Sequence, residues 1–344
     1  MDGLSRNRFR AFVLLTLWLV ASLAAQAGEP VRVLVLTAFP PELAPWLEHM
    51  PEAEPIDIDG AYAPVWCDSR RVCVTETGIG EVNTATSMAA LLASDKLDLG
   101  QTFFLRAGIA GGPPDGANTL GGAVWSDWVV SWDLGHHLSA TSHGQSQPIY
   151  RPLSPTEPAI DTHAFQLNPK LLALAQKASQ NTELADDPSA RADRKKYPGQ
   201  EQRQPTITVG ATISGDDYWS GQALSELAGR IVARYSDHAS HYASTAMEET
   251  GDAGALLRRG LLSRYASVRT ISDFDQPPAE QTAHAMLAAG QYPGGQIAIT
   301  NAYRVAHAVV DYALSHPKAL AQAMAADPVK RQAYPLSASA ARGS

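Results

Sequence analysis

A chain of 344 residues, 45% of them hydrophobic and 18% charged, is long enough to bury a sizeable core in one large domain. Its 35 acidic side chains outnumber 27 basic ones for a formal charge of −8, which argues against nucleic acid or an anionic lipid surface as a partner. Two cysteines supply at most one disulfide, and no His or Cys stands beside them at metal-ligand spacing.

The chain opens with Arg6, Arg8 and Arg10, runs apolar from Ala11 to about Ala25, and offers Ala25-Gln26-Ala27 before Gly28. That three-part layout is a cleavable secretory signal peptide over residues 1–27. The apolar run is shorter than the roughly 20 residues a membrane-spanning helix needs, and no comparable stretch follows. The mature protein is therefore expected to be soluble, without a membrane span, and exported to the periplasm or the extracellular space. Its formal charge would be about −10.

Val31 to Leu36 is a β-rich apolar run ending at Pro40-Pro41, and it predicts a buried first strand. Val65 to Val74 places two short apolar runs around Asp68-Ser69-Arg70-Arg71, which predicts a hairpin. Facing sulfurs of Cys67 and Cys73 in an exported hairpin are expected to close a disulfide. Glu81 to Ala93 has helical spacing; Thr102 to Arg106 and Ala123 to Val130 read as strands. From about 139 to 205 the chain is rich in Pro, Ser, Gln and Asp, which predicts a surface insertion with one helix near Asn168 to Ala178 and a mobile loop around Ala185 to Gln204. Just before it, after the preceding strand, His136 and His137 read as solvated residues of the insertion and not as catalysts. A strand at Ile207 to Ile213, a helix at Leu224 to Tyr235 and a strand at Val268 to Ile271 follow, and residues 336–344 form a frayed tail. Strands alternating with helices imply an α/β fold: one three-layer domain over 28–335 whose central sheet is mixed but mainly parallel.

In such sheets ligands sit beyond the carboxyl ends of the strands. The segments there are Phe39-Pro40-Pro41-Glu42, Thr77-Gly78-Ile79-Gly80-Glu81, Arg106-Ala107-Gly108-Ile109-Ala110-Gly111-Gly112, Ser214-Gly215-Asp216-Asp217-Tyr218-Trp219, Ala246-Met247-Glu248-Glu249 and Ser272-Asp273-Phe274-Asp275. The Gly-rich turn lets backbone amides approach a ligand, and Tyr218 and Trp219 are flat enough to stack on a ring.

In this order and spacing these segments resemble the nucleoside phosphorylase and nucleosidase superfamily. F-P-P-E at Phe39, M-E-E-T-G at Met247, I-S-D-F-D at Ile271 and N-A-Y-R at Asn301 resemble more specifically the purine nucleoside permease family, and the likeness runs from about Val31 to Ala313. It implies a nucleoside phosphorylase-like fold with a nucleoside as ligand. By that likeness Asp273 is the acid that acts on the leaving base, Glu248 with Met247 holds the ribose, and Glu42 orients the attacking water or the ribose. Phe39, Ala110, Gly111, Tyr218 and Trp219 would meet the base. Bland alternatives stay open for each: helix capping for Asp273, a first-turn acid for Glu248 with Glu249 as competitor, core packing for the aromatics.

The chain departs from the phosphorylase pattern after its first strand, where Glu42 stands and no arginine does; a carboxylate there repels phosphate and favours water. Arg106 is the remaining candidate for a phosphate ligand. No cofactor is expected, inorganic phosphate being the one co-substrate to consider, and no metal. Two functions therefore compete: an enzyme that cleaves the N-glycosidic bond by hydrolysis or phosphorolysis, and a nucleoside-binding component of transport. Homo-oligomerisation is left open.

Overall fold

The computed structural model describes residues 28–137, 150–153, 160–290 and 292–325. The expected signal peptide and the tail from 336 lie outside the described residues. Strand β1 (Val33–Thr37) is wholly buried and leads into α1 (Pro40–Glu48). Short strands β2 (Glu54–Ile56) and β3 (Val65–Cys67) precede β4 (Val72–Glu76) and α2 (Glu81–Ala93). Next come β5 (Phe103–Gly112), β6 (Ala123–Ser131), β7 (Ala164–Gln166), α3 (Pro169–Ser179) and α4 (Pro188–Arg194). The rest comprises β8 (Ile207–Ser214), α5 (Gln222–Tyr235), β9 (Tyr242–Ala246), α6 (Glu249–Arg258) and β10 (Tyr265–Phe274), then α7 (Ala283–Ala289), α8 (Gly295–Ser315) and α9 (Pro317–Met324).

These ten strands join one mixed sheet in the order β7-β6-β8-β9-β5-β1-β4-β3-β2, with β10 inserted between β5 and β6, and two short two-stranded pairs, Glu29–Pro30 with Leu97–Asp98 and Gly135–His137 with Tyr150–Pro152, stand apart from it. The long ladders are parallel: β4 with β1, β1 with β5, β5 with β10, and β6 with β8. Antiparallel pairs sit at the two edges and where β5 meets β9 and β10 meets β6. Those last two pairings close β6, β8, β9, β5 and β10 into a ring. Register shifts in β8 between Gly210 and Thr212 and in β10 between Ile271 and Asp273 supply the bends that closure needs.

Side chains alternate across β1 with the period of two that a pleated strand imposes. Val33 and Val35 enter a core with Leu105, Trp125 and the α8 residues Val305 and Val309, whereas Leu34 and Leu36 face Met88 and Leu91 of α2 and Leu256 of α6. Helices thus cover both faces, which is why the strand can be apolar at every position.

The β3–β4 hairpin carries the Cys67–Cys73 disulfide, and the two residues are direct register partners. So short a closed loop stabilises by only about 2 kcal/mol in the chain-entropy model. Replacing both cysteines with Ala is therefore expected to lower unfolding stability in urea by about 2 kcal/mol with the fold retained. Failure of the double variant to fold would show that the bridge does more than hold one hairpin.

The stretch read as a surface insertion differs from expectation where it is described. β7 extends the sheet edge beside β6, and α3, capped by the Asn168 side chain, places Leu171, Leu174 and Ala175 in the main core. The segment expected as a mobile loop is packed. Asp187 accepts from Ala190 N at 2.7 Å to start α4, Arg194 is buried against Asp186, Tyr197 donates to Gln276 O at 3.0 Å, and Gln200 donates to Asn118 O at 3.2 Å. Its polar composition suits solvent, but these groups bond to one another and to backbone carbonyls. Asn301 of the N-A-Y-R motif fastens the same segment, donating to Ala185 O at 2.9 Å and accepting from Ala185 N at 2.7 Å. His136 lies exposed on a short strand, Gly135–His137, away from the strand ends that matter.

Candidate active site

The carboxyl ends of β1, β5, β9 and β10, with the segment after β8, enclose a cavity of about 330 Å3. Its walls bring together Phe39 and Glu42 from α1, Ala110 and Gly111 from β5, Tyr218 and Trp219 after β8, Met247 and Glu248 after β9, and Asp273 at the end of β10. Every catalytic, ribose or base residue expected from the sequence lies on this one surface. Arg106 does not.

At its floor is a cation the sequence reading passed over. Arg269, buried in β10, donates to Glu248 Oε2 at 2.6 Å, to Glu249 Oε1, and to Ile109 O at 3.0 Å, and stands 4.0 Å from Glu42 Oε1. A guanidinium has five donors in a rigid fork, so it can serve several carboxylates at once. The signal was present: an arginine inside an apolar strand run has to be paired, and only the acids at neighbouring strand ends can reach it.

Glu42 is held from both sides. Ala38 N donates to its Oε2 at 2.7 Å and Ile109 N to its Oε1 at 2.7 Å. Burial nonetheless pushes its pKa up to about 7, with Arg269 opposing and Glu248 reinforcing the shift. Burial would also raise Glu249, but the charge and hydrogen bond of Arg269, aided by Arg106, hold that carboxyl below the usual range. Glu249 is thus the structural counter-ion of Arg269, and Glu248 is the one that lines the cavity. Gly108 makes the crossing possible, since a Cβ there would stand 2.7 Å from Arg269 Nη1 and would also meet the Glu42 carboxylate.

Glu248 is fixed from a third direction by Gly80 N, which donates to Oε1 at 3.2 Å. Gly80 adopts φ +94°, a region an L side chain avoids, and a Cβ would reach within 2.7 Å of Asp216 Oδ1. The G-I-G-E turn therefore works by backbone geometry, and its glutamate faces away: Glu81 accepts from Thr250 Oγ1.

Asp273 follows the β10 register shift, which re-aims a side chain at the end of a strand. Half-buried, it accepts from Ser272 Oγ at 2.6 Å, and burial pushes its pKa up to about 6. Two residues on, Asp275 accepts from Tyr242 OH at 2.7 Å and Ser225 Oγ at 2.8 Å, and its pKa is pushed up to about 7 by burial. Both aromatics line the cavity, in different roles. Trp219 stacks on Trp132 with centroids 4.9 Å apart and forms a fixed wall, while Tyr218 stands 70% exposed at the mouth.

Two expectations need correcting. Arg106 is buried in β5 with its guanidinium bound by Asp252, at 2.7 and 2.8 Å, and donating to Thr77 Oγ1 at 2.9 Å, so it is a structural ion pair beneath the site and no phosphate ligand. The Gly-rich run after it is not a turn but the C-terminal half of β5 itself. Its small residues let β9, β10 and the charged side chains pass close on both sides.

The fold recurs in solved structures at low sequence identity. A 5'-methylthioadenosine/S-adenosylhomocysteine nucleosidase from Colwellia psychrerythraea, in complex with adenine, superposes with a TM-score of 0.52 at 20% identity, over 82% of this chain and 95% of that one. Futalosine hydrolase of Helicobacter pylori gives 0.55 at 17% identity, over 82% and 97%. By sequence, a protein of Schizosaccharomyces pombe named "Probable purine nucleoside permease" is 30% identical over 346 residues, 90% of this chain and 98% of that one. A purine nucleoside permease of Candida albicans is 27% identical over 286 residues, covering 76% and 70%. The family model for purine nucleoside permease (NUP) matches residues 30–323, a span that includes every cavity residue named above. The chain belongs to the purine nucleoside permease family.

Proposed function

We propose that this protein binds purine nucleosides in the strand-end cavity and cleaves their N-glycosidic bond with water as the nucleophile. The observation that carries the reading is the convergence of Asp273, Glu248 and Glu42 on one cavity, with two of the three carboxyls raised toward neutrality. Cleavage develops positive charge on the ribose and negative charge on the departing base. Burial raises the pKa of Asp273 to about 6, so below that pH the carboxyl is mainly protonated and above it a fraction still carries a proton to give to a base nitrogen. Glu248 keeps lone pairs beyond those used by Gly80 and Arg269 and can accept from ribose hydroxyls. Glu42, fixed by two backbone amides, is placed to orient water and to stabilise the cationic sugar.

Water is preferred over phosphate on charge grounds. Among the described residues Arg269 is the one cationic side chain on this cavity, and Glu248 and Glu249 already neutralise it. Inorganic phosphate would meet Glu42 instead, so the reading needs neither phosphate nor a cofactor. We also place the protein outside the cytoplasm, because its disulfide suits an oxidising compartment.

A second reading is favoured by the names of the relatives: a nucleoside-binding component of transport that uses the same cavity without turnover. No helix among the described residues is long and apolar enough to cross a membrane. Incubating purified protein with adenosine, inosine, guanosine and uridine, with and without phosphate, separates the two. Free base released equally under both conditions is the expected result. Release only with phosphate would replace hydrolysis by phosphorolysis, tight binding without release would leave the transport reading, and no binding would sink both.

A further inference from the structure

On the other side of Asp273 lies a second lobe of about 430 Å3. The two lobes adjoin at Tyr218, Trp219, Asp273 and Tyr292, which line both. None of the ribose-side residues Glu42, Met247 or Glu248 touches the second lobe. Leu224 of α5, Phe274, Pro278, and Met286 and Leu287 of α7 give it an apolar wall, with the polar Ser220, Gln281 and His284 set among them. The polar pair that reaches it from the α4 segment, Asp193 and Lys196, is closed on itself at 2.7 Å and offers no net charge. Each lobe is as large as a whole small-molecule site, for which about 300–1,000 Å3 is usual.

We infer that the protein takes purine nucleosides enlarged on the base by an uncharged, apolar substituent, which occupies this second lobe. The inference rests on the nucleoside reading above and adds a substrate class to it. In a purine the ring nitrogen free to receive a proton as the glycosidic bond breaks, N7, lies beside the exocyclic group at C6. A base presented to Asp273 by that edge therefore directs its C6 substituent past the carboxyl and into the lobe. The rim supports the same occupant. Tyr218, Leu287 and Tyr292 are 70%, 68% and 54% exposed, an apolar mouth that an unsubstituted nucleoside leaves wet and an aryl or alkyl group covers.

Calorimetric titration of the wild type with adenosine and with N6-benzyladenosine tests this. Burial of the benzyl group should make the second ligand bind at least about ten-fold tighter. Met286→Trp fills the lobe from a solvent-facing helix, and Leu287→Asp places a charge at its mouth. Each should remove the preference for the benzyl compound while keeping adenosine affinity within about two-fold of wild type. N6-benzyladenosine binding no tighter than adenosine in the wild type, or an undiminished preference in both variants, overturns the lobe assignment alone. Failure of adenosine itself to bind the wild type overturns the nucleoside reading, and this inference with it.

Discussion

Asp273→Asn is expected to lower kcat for base release by about 10² to 10⁴ with nucleoside affinity close to wild type, the mark of a group needed in the transition state rather than the ground state. The substitution keeps the shape and the contact with Ser272 but removes the proton. The pH profile sharpens the test. Because the pKa of Asp273 is raised to about 6, the acid is spent as pH climbs through that value, so wild-type kcat should fall on the alkaline side. The residual activity of the variant should lose that limb. An unchanged kcat would move the role to Asp275, which carries a raised pKa at the same strand end.

The largest expected loss of stability comes from Arg269→Met. Its guanidinium is the shared counter-ion of Glu248 and Glu249 and lies 4.0 Å from Glu42, all of them buried. Removing one partner from a buried ion pair typically costs about 3–5 kcal/mol, because the other charge stays behind uncompensated. The sign of the pH dependence follows. Arg269 opposes the upward shift of Glu42 and holds Glu249 down, so without it the folded-state pKa values of those two carboxyls rise, the folded state binds more protons than the unfolded chain, and stability falls as pH increases. Urea unfolding at pH 5 and pH 8 should therefore show a larger deficit at pH 8. A deficit below about 1 kcal/mol at both would mean that the pair is replaceable by packing alone.

Much of the layout was legible because strand ends announce themselves. The runs Val31–Leu36 and Ile207–Ile213, read as strands from their apolar β-rich pattern, match the strands Val33–Thr37 and Ile207–Ser214 to within a few residues, α2 was placed at both ends, and the motifs after those two runs, with Phe39, Glu42, Tyr218 and Trp219, face one cavity. What stayed hidden depends on pairings distant in sequence. Arg269 and Glu42 are 227 positions apart, and nothing local tells which arginine a buried acid will meet. Arg106 was misjudged for the same reason: its partner Asp252 lies 146 residues on. Composition misled at 185–204, where polar residues satisfy one another under the surface and help to form the second lobe. The ring closure of the sheet was also invisible, since it turns on two short antiparallel contacts.

The arginine at the floor of the cavity also sets a timetable for biosynthesis. Glu42, Glu248 and Glu249 precede Arg269 along the chain, so a nascent polypeptide carries the acids before it carries their cation. Until β10 has been made, those carboxylates cannot be buried together without mutual repulsion, and β5 lacks the neighbour that aligns Ile109 with Glu42. Such long-range contacts form late because loop closure must come first. The strand-end cavity is therefore a property of the finished chain: a translation product that stops before residue 265 carries the three acids and not the arginine that lets them share one buried place.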